Sequence, residues 1–274
     1  MSNEEPSFVT SLMAGGMAGT AVDVALFPLD TLKTRLQSEA GFRASGGFRG
    51  IYSGLGPAAL ASAPNAALFF CTYESMKKIL SRHVPSNYLP GVHMVAASAG
   101  EVVACIIRVP MEIVKQRRQA QISDSSIKVV QDILRKEGTR GLFRGYLSTV
   151  TREIPFSLIQ FPVWEWLKKY WSEKQGHYVD SWQSSLCGAI AGGFSATLTT
   201  PLDVAKTRIM LAHHDSTAAK GNINTVLRIV CKQQGLSGLF AGVVPRTLWI
   251  TVGGAVFFGV YEKANWLLKH HMYL

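Results

Sequence analysis

The sequence predicts an all-α membrane protein, with six transmembrane helices in a pseudo-threefold bundle of three two-helix repeats joined by short surface helices. Three observations lead to this prediction. One charged motif occurs three times, the composition is apolar with few charges, and long apolar segments end in charged residues. Each repeat would then supply two spans of roughly 20 residues or more.

The repeated motif is a proline followed by an acid and two bases, with prolines spaced 82 and 91 residues apart. Its copies occupy residues 28–35, 110–117 and 201–208 and read PLDTLKTR, PMEIVKQR and PLDVAKTR. We therefore divide one integral domain into three repeats, which are residues 1–85, 86–175 and 176–274. A period of about 90 residues is too long for a solenoid, and three copies fit a closed bundle better.

The composition favours a membrane over a soluble environment. The mean hydropathy is positive, and only 17% of the residues are charged. No stretch is an uninterrupted apolar run of spanning length, which suits helices that line a polar cavity. The net charge of +10 suits a nucleic acid or an anionic membrane surface. Because no nucleic-acid motif is present and the bases lie near segment ends, we expect the membrane and no nucleic acid.

Each repeat is predicted to hold two long helices with a short amphipathic helix between them. Small residues four apart near the start of the first helix let helices approach closely in lipid. The amphipathic segments, clearest at 126–136 and 224–233, suit helices that lie along the membrane surface. The long helices are predicted at 8–37, 92–119 and 181–210 for the first of each pair, and at 57–80, 149–171 and 245–269 for the second.

A second repeated element, EGTRGLFRG at residues 137–145, aligns with residues 46–54 and 234–242. Together the two elements resemble those of the mitochondrial carrier family, over essentially the whole chain. The acid of this second element is replaced by Gly46 and Gln234, and its base by Ser53 and Ala241. In carriers these positions help to bind cardiolipin, so the resemblance implies cardiolipin as a bound lipid and no other cofactor.

The resemblance also implies a location. We expect a multi-pass, monomeric protein of the mitochondrial inner membrane. An even number of spans places both termini on one side, and the resemblance implies that this is the intermembrane-space side. The N-terminal segment carries Glu4 and Glu5 and lacks the basic character of a cleaved presequence. The four scattered cysteines indicate small packing residues rather than a metal site.

The first motif predicts a gate on the matrix side. A proline inside a helix removes one backbone hydrogen bond and kinks the helix, so three kinked helices can converge at one end. Charges at that depth are costly unless they are paired. Carriers pair the acid of one repeat with the base of the next and brace the pairs with glutamines. The resemblance therefore implies the pairs Asp30–Lys115, Glu112–Lys206 and Asp203–Lys33, with Gln37 and Gln119 as braces.

A gate on the cytoplasmic side is predicted from the second helix of each repeat. An aromatic residue, an acid and a base recur there, with Asn265 replacing the third base. The resemblance implies the pairs Glu74–Lys168 and Glu262–Lys77, with Glu165 as a further member. Two gates that open in turn suit transport, since a substrate that binds the two states differently shifts their populations.

Substrate selection should come from polar residues that break the threefold pattern, because the repeated ones serve the shared mechanism. Asp23 corresponds to Cys105 and Ala196 in the other repeats. Ionisable residues inside a membrane are functional candidates by default, although Glu101 and Arg108 can equally form a structural ion pair. The candidate binding residues are Asp23, Ala61, Asn65, Glu101, Arg108, Arg152 and Glu153.

These residue types indicate an amino-acid-like solute with an additional cationic centre. The Arg152 guanidinium can bind an α-carboxylate as a fork, and the neighbouring Glu153 can accept from an α-ammonium. Asp23 would meet the further cation. Segments 27–31, 97–105, 152–157 and 180–184 resemble family members that carry S-adenosylmethionine, which implies its import in exchange for S-adenosylhomocysteine. That resemblance also implies a slot for the adenine near Ala61 and Asn65, and Trp249 is a stacking candidate against the commoner packing role.

Three alternatives remain at this point. A carrier of the same fold could move another cationic or amino-acid-like solute, or iron. A membrane enzyme is disfavoured because we find no Ser–His–Asp set, phosphate-binding glycine loop or metal-ligand spacing in the sequence. A soluble helical nucleic-acid binder would be extracted by salt without detergent.

Overall fold

Helices account for all the regular secondary structure in the described part of the chain. The computed structural model describes residues 8–82, 89–213, 215–220 and 222–271, without the side chains of residues 8–18, 89, 90, 93, 220, 257–259 and 261–271. The elements are α1 (Phe8–Gln37), α2 (Gly41–Ala44), α3 (Leu55–Leu80), α4 (Leu89–Gln119), α5 (Ser126–Leu142), α6 (Tyr146–Gln175), α7 (Ser181–Leu198), α8 (Thr200–Leu211), a 3₁₀ helix (Thr217–Lys220), α9 (Ile223–Leu239) and α10 (Val243–His271).

The long helices form a closed ring. Extensive contacts join the second long helix of each repeat to the first long helix of the next, namely α3 to α4, α6 to α7 and α10 to α1. The third of these contacts closes the ring, and α7 and α8 together occupy the place of one long helix. The predicted all-α bundle of three two-helix repeats is confirmed.

The outer surface of the bundle is apolar. Leu60 on α3 and Leu147 on α6 are each 71% exposed, and Phe194 on α7 is 52% exposed. By length and composition, two described segments can cross a membrane, Leu55–Leu80 and Met94–Gln119, and the bent pair α9 with the first half of α10 gives a third if it is counted as one span.

The first long helix of the third repeat is divided, whereas one continuous helix was predicted. α7 and α8 meet at Thr199, two residues before Pro201. Proline has no N–H to continue the helical hydrogen bonds. The hydroxyl groups of Thr199 and Thr200 donate to the backbone carbonyls of Ser195 and Ala196, at 2.8 and 2.7 Å. The prolines of α1 and α4 lie inside helices that stay continuous.

The surface helices α5 and α9 bury one apolar face each, as their amphipathic patterns predict. Val129 and Ile133 of α5 pack into a cluster with α4, and α9 packs in the same way against α8. Both helices extend six residues beyond the predicted ends at 136 and 233, with a kink at Gly138 and Gly235, where φ is 66° and 65°. A positive φ is accessible to glycine at little cost, so the chain bends there and continues for another turn.

Three buried arginines join the repeats at the end of the bundle where the first long helices end. Each is the last base of the repeated motif, and its Nε donates to a carbonyl at the end of the first long helix in the next repeat. The three bonds are Arg35 to Gln119 at 2.7 Å, Arg117 to Met210 at 3.3 Å and Arg208 to Gln37 at 3.0 Å.

The remaining nitrogens of these arginines hold the second repeated element. Arg35 donates to the carbonyls of Gly47 and Gly50 at 2.6 and 3.1 Å. Arg117 pairs with Glu137 at 3.0 Å, and Arg208 donates to the Gln234 side chain at 2.6 Å. The second element therefore stays attached in all three repeats, although its acid is present in only one of them.

Replacing Arg35 with alanine should destabilise the protein strongly. The side chain is 0% exposed, and its loss removes three hydrogen bonds to backbone carbonyls, of which, among the described residues, only that of Gly50 keeps a backbone donor, from Ser53. We expect this to cost about 3 kcal/mol or more. Thermal unfolding of the purified protein in mild detergent measures the effect, with the exposed Arg43→Ala as the matched control. Equal unfolding temperatures for the two variants would contradict the role assigned to Arg35.

Candidate functional site

Six charged side chains meet where the first long helices converge. Each acid of the repeated motif pairs with a lysine from a different repeat, as the sequence predicts. The closest N–O distances are 2.7 Å for Asp30–Lys115, 2.7 Å for Glu112–Lys206 and 2.8 Å for Asp203–Lys33. The three pairs link all three repeats in a cycle, and we call them the ion-pair ring.

Two glutamines brace this ring. Gln119 donates to Asp30 at 2.8 Å and accepts from the hydroxyl of Thr34 at 2.8 Å. Gln37 makes the equivalent two bonds in the third repeat, 2.9 Å to the ring acid and 2.7 Å from a threonine of α8. The bracing contacts expected for both glutamines are present.

The Glu112–Lys206 pair is braced differently. Met210 occupies the position of the glutamines, and its side chain belongs to an apolar cluster. Glu112 accepts a bond of 3.1 Å from Gln116 on its own helix instead. This pair is therefore braced from within α4 rather than from a neighbouring repeat.

A chamber of about 420 Å³ lies directly above the ion-pair ring. It is bordered by six bases and four acids, and this density of charge distinguishes it from the apolar outer surface. Five of the seven predicted binding residues line it, namely Asp23, Ala61, Asn65, Arg108 and Arg152, and Trp249 lines it as well. Ser62, Arg246 and the six ring residues complete the polar part of the lining.

The other two predicted binding residues contact the lining arginines. Glu101 pairs with Arg108, and Glu153 pairs with Arg152. Arg108 also lies 3.9 Å from Glu153, so these four side chains form one connected cluster. With its amide oriented to suit both neighbours, Asn65 donates to a backbone carbonyl of α4 and accepts from Arg108 at 3.2 Å.

Arg246 is a binding candidate that the sequence analysis did not identify. It is 2% exposed, lies 3.8 Å from Asp203 and donates to Thr199 at 3.0 Å. Its equivalents in the other repeats are Ala58 and Thr149. The criterion used for Asp23, a charge that breaks the threefold pattern, would have found it.

The two arginines nearest the ring retain capacity for an anion. Arg152 lies 3.8 Å from Asp203, as Arg246 does. Among the described side chains, Nε of Arg152 and Nη1 of Arg246 are buried nitrogens without a hydrogen-bond partner. Buried donors of this kind favour a ligand that accepts hydrogen bonds, and a carboxylate matches the guanidinium fork.

The predicted cytoplasmic-side element has a different arrangement from the one expected. Lys77 pairs with Glu74 and Lys168 pairs with Glu165, each at 2.8 Å and each within one helix. Across the described residues Glu74 and Lys168 form no ion pair, so that prediction is wrong for this conformation. The side chain of Glu262 lies outside the described residues.

An aromatic ring of the same helix lies next to each of these two lysines. Lys168 Nζ lies 3.8 Å from the centre of the Trp164 ring, and Lys77 Nζ lies 5.3 Å from the centre of the Tyr73 ring. A cation over an aromatic face gains electrostatic attraction within its own helix. The chamber is therefore closed by ion pairs at the ring, while the described acids and bases at its other end pair only within their helices.

Ser62 should be reachable from the end of the chamber opposite the ring. In a background with the exposed Cys71 and Cys231 changed to serine, we expect Ser62→Cys to react rapidly with a membrane-impermeant thiol reagent. Ser148, which is 2% exposed, supplies the matched control Ser148→Cys, expected to stay protected, as do the buried Cys105 and Cys187. Mass spectrometry gives the extent of thiol labelling in each variant. Equal protection of both variants would contradict an open chamber.

Comparison with known proteins agrees with this architecture. A family model described as "Mitochondrial carrier protein" matches residues 4–46, 41–84, 86–175 and 178–272. The "Mitochondrial S-adenosylmethionine carrier protein" of Mus musculus is 58% identical over 265 residues, which are 97% of each chain. The protein of the same description from Xenopus tropicalis is 59% identical over 97% of this chain and 98% of its own. The "S-adenosylmethionine mitochondrial carrier protein homolog" of Drosophila melanogaster is 56% identical over 95% of this chain and 93% of its own. The chain belongs to the mitochondrial carrier family.

Proposed function

We propose that this protein imports S-adenosylmethionine across the mitochondrial inner membrane into the matrix and exports S-adenosylhomocysteine in exchange. It works as a monomer with both termini on the intermembrane-space side. The relatives with this substrate in their description share more than half of their residues with this chain. Membership in the family makes the protein a carrier and not an enzyme.

The observation that carries the proposal is the set of charges lining the chamber. S-adenosylmethionine carries a carboxylate, an ammonium and a sulfonium. The lining offers two arginines with unbonded donors, Arg152 and Arg246, and an acid on another helix, Asp23. A further acid, Glu153, contacts Arg152 from outside the lining. Its volume of about 420 Å³ falls in the range of small-molecule sites, roughly 300–1,000 Å³.

Each charge of the substrate has a partner in this proposal. The carboxylate binds Arg152 and Arg246, whose free donors point to an acceptor. The ammonium binds Glu153, which then exchanges part of its contact with Arg152 for the substrate. The sulfonium lies near Asp23 on α1. The adenine lies between Trp249 and the small side chain of Ala61, where stacking on an indole favours a flat ring.

Binding at this site is coupled to the ion-pair ring through Asp203. Arg152 and Arg246 both lie 3.8 Å from that carboxylate, so a substrate carboxylate competes with Asp203 for the same two cations. A ligand opens a gate only to the extent that it binds the open state better. We propose that the ion-pair ring is the matrix-side gate and that the cytoplasmic-side element closes when the ring opens.

Cardiolipin is the proposed bound lipid. A second cleft, about 780 Å³, lies where α3 and α5 begin, and its polar side chains include Arg118, Ser53, Ser125 and the acid Asp124. The base, the hydroxyl groups and the two helix starts suit a phosphate, whereas Asp124 opposes it. Thermal unfolding with added cardiolipin tests this part of the proposal, with phosphatidylcholine as the control lipid.

Purified protein in liposomes should take up labelled S-adenosylmethionine only when the lumen holds S-adenosylmethionine or S-adenosylhomocysteine. A panel with adenine nucleotides, basic amino acids and ferrous iron outside serves as the comparison. Uptake of any of these solutes at the same rate would reject the assigned substrate. Uptake of S-adenosylmethionine into empty liposomes would reject the exchange mechanism.

Arg152→Ala should reduce exchange by about a hundredfold, because it removes a charge-assisted hydrogen bond worth roughly 3 kcal/mol at a buried site. Arg152→Lys should keep part of the activity, since an ammonium keeps the charge but not the fork. The exposed Arg140→Ala, outside the chamber, is the control for expression and reconstitution. Initial uptake rates at equal amounts of folded protein measure the effect, and near-normal transport by Arg152→Ala would contradict the binding role.

A further inference from the structure

Asp23 differs from the other three acids that line the chamber. Asp30, Glu112 and Asp203 each have a lysine within 2.8 Å. Asp23 has neither an ion pair nor a hydrogen bond with any described residue, although it lines the same chamber. It is therefore the acid in the described lining whose charge the protein leaves without a direct partner.

The surroundings of Asp23 offer little compensation. It lies seven residues before Asp30 on α1, and the charged groups that act on it are Lys115 of α4, already bonded to Asp30, and Asp30 itself. From α3 the chamber receives only Ala58, Ala61, Ser62 and Asn65, and from α10 it receives Arg246, which is engaged near Asp203. The acid and lysine contributed by α8, Asp203 and Lys206, belong to the ion-pair ring. The other two lining bases, Arg108 of α4 and Arg152 of α6, pair with Glu101 and Glu153.

The two proposed substrates differ by one positive charge. The sulfur of S-adenosylmethionine bears three carbon substituents and is cationic, whereas the sulfur of S-adenosylhomocysteine is a neutral thioether. Their carboxylate and ammonium groups are the same. Because an isolated carboxylate inside a membrane protein is costly, Asp23 matches the first substrate as a carboxylate and the second as a neutral acid.

On the basis of the function proposed above, we propose that the carrier is also a proton transporter, with Asp23 as the proton-binding group. Asp23 is ionised when S-adenosylmethionine occupies the chamber and protonated when S-adenosylhomocysteine does. One cycle then moves one S-adenosylmethionine cation inward, and one neutral S-adenosylhomocysteine with one proton outward. The charges balance, so the exchange is electroneutral and does not respond to the membrane potential.

The test uses liposomes loaded with S-adenosylhomocysteine and a pH-sensitive dye, with labelled S-adenosylmethionine outside. We expect the lumen to become alkaline by about one proton for each molecule taken up, which is the stoichiometry that linkage requires. Uptake should accelerate when the lumen is made more acidic than the outside. It should keep the same rate when valinomycin and a potassium gradient impose an interior-negative potential. Exchange of S-adenosylmethionine for itself should move no proton.

Two variants sharpen the test. In Asp23→Asn the proton-binding group is lost, so any remaining exchange should move no proton and should accelerate under an interior-negative potential. Asp132→Asn, at an exposed position on α5, is the matched control and should behave as the unaltered protein does. If Asp23→Asn is inactive, the proton count of the unaltered protein still decides whether the exchange moves a proton.

The outcomes separate the two proposals. Uptake that accelerates with the membrane potential and moves no proton would overturn proton transport and leave the proposed substrates in place. Proton movement that persists in an active Asp23→Asn variant would overturn the role of Asp23. Absence of any S-adenosylmethionine uptake would overturn the proposed function, and this inference with it.

Discussion

The pairing of buried acids with lysines from other repeats is the interaction on which the structure depends. Each ring acid and each ring lysine would be costly alone at this depth. Because the partners come from different repeats, the charges are paired only when all three repeats close around the axis. The ion-pair ring therefore requires the pseudo-threefold fold and also stabilises it. The arginines of the same motif extend it, since each binds the helix end of the next repeat.

Residues that follow the threefold symmetry and residues that break it have different places in the structure. The repeated residues build the ring and its attachments, while Asp23, Arg152 and Arg246 each lack an equivalent charge in the other repeats. The chamber is thus asymmetric above a symmetric base. Two of its arginines lie beside Asp203, so the asymmetric part acts directly on one ring pair. A ligand that binds these arginines would therefore act directly on the ion-pair ring.

Much of this arrangement could be predicted from the sequence, because the repeats supply three independent copies of each signal. The ring pairs follow from the acid–lysine spacing together with the family resemblance, and the surface helices follow from their apolar periodicity. The break at Thr199 did not follow, since the prolines of α1 and α4 lie in continuous helices with the same motif. The residues before the proline differ, since Thr199 and Thr200 stand where α1 has Leu26 and Phe27 and α4 has Arg108 and Val109.

The ion pairs of the cytoplasmic-side element could not be predicted from the sequence either. Its residues have two sets of possible partners, within a helix and between helices, and a sequence does not tell which set a given conformation uses. In this conformation Lys77 and Lys168 use the acids and aromatic rings of their own helices. Arg246 is different, because the sequence does contain its signal: it stands where the other repeats have Ala58 and Thr149.

Distances between spin labels test alternating access most directly. Lys78 and Lys169 are exposed at equivalent positions near the ends of α3 and α6, and Arg135 and Lys232 are exposed on the surface helices α5 and α9. With cysteines at one pair at a time, pulsed electron paramagnetic resonance should show two distance populations in liposomes. Saturating S-adenosylmethionine should shorten the first pair and lengthen the second as the ion-pair ring opens. Distances that stay single and unchanged at both ends, in a protein that still transports, would contradict a breakable ring as the gate.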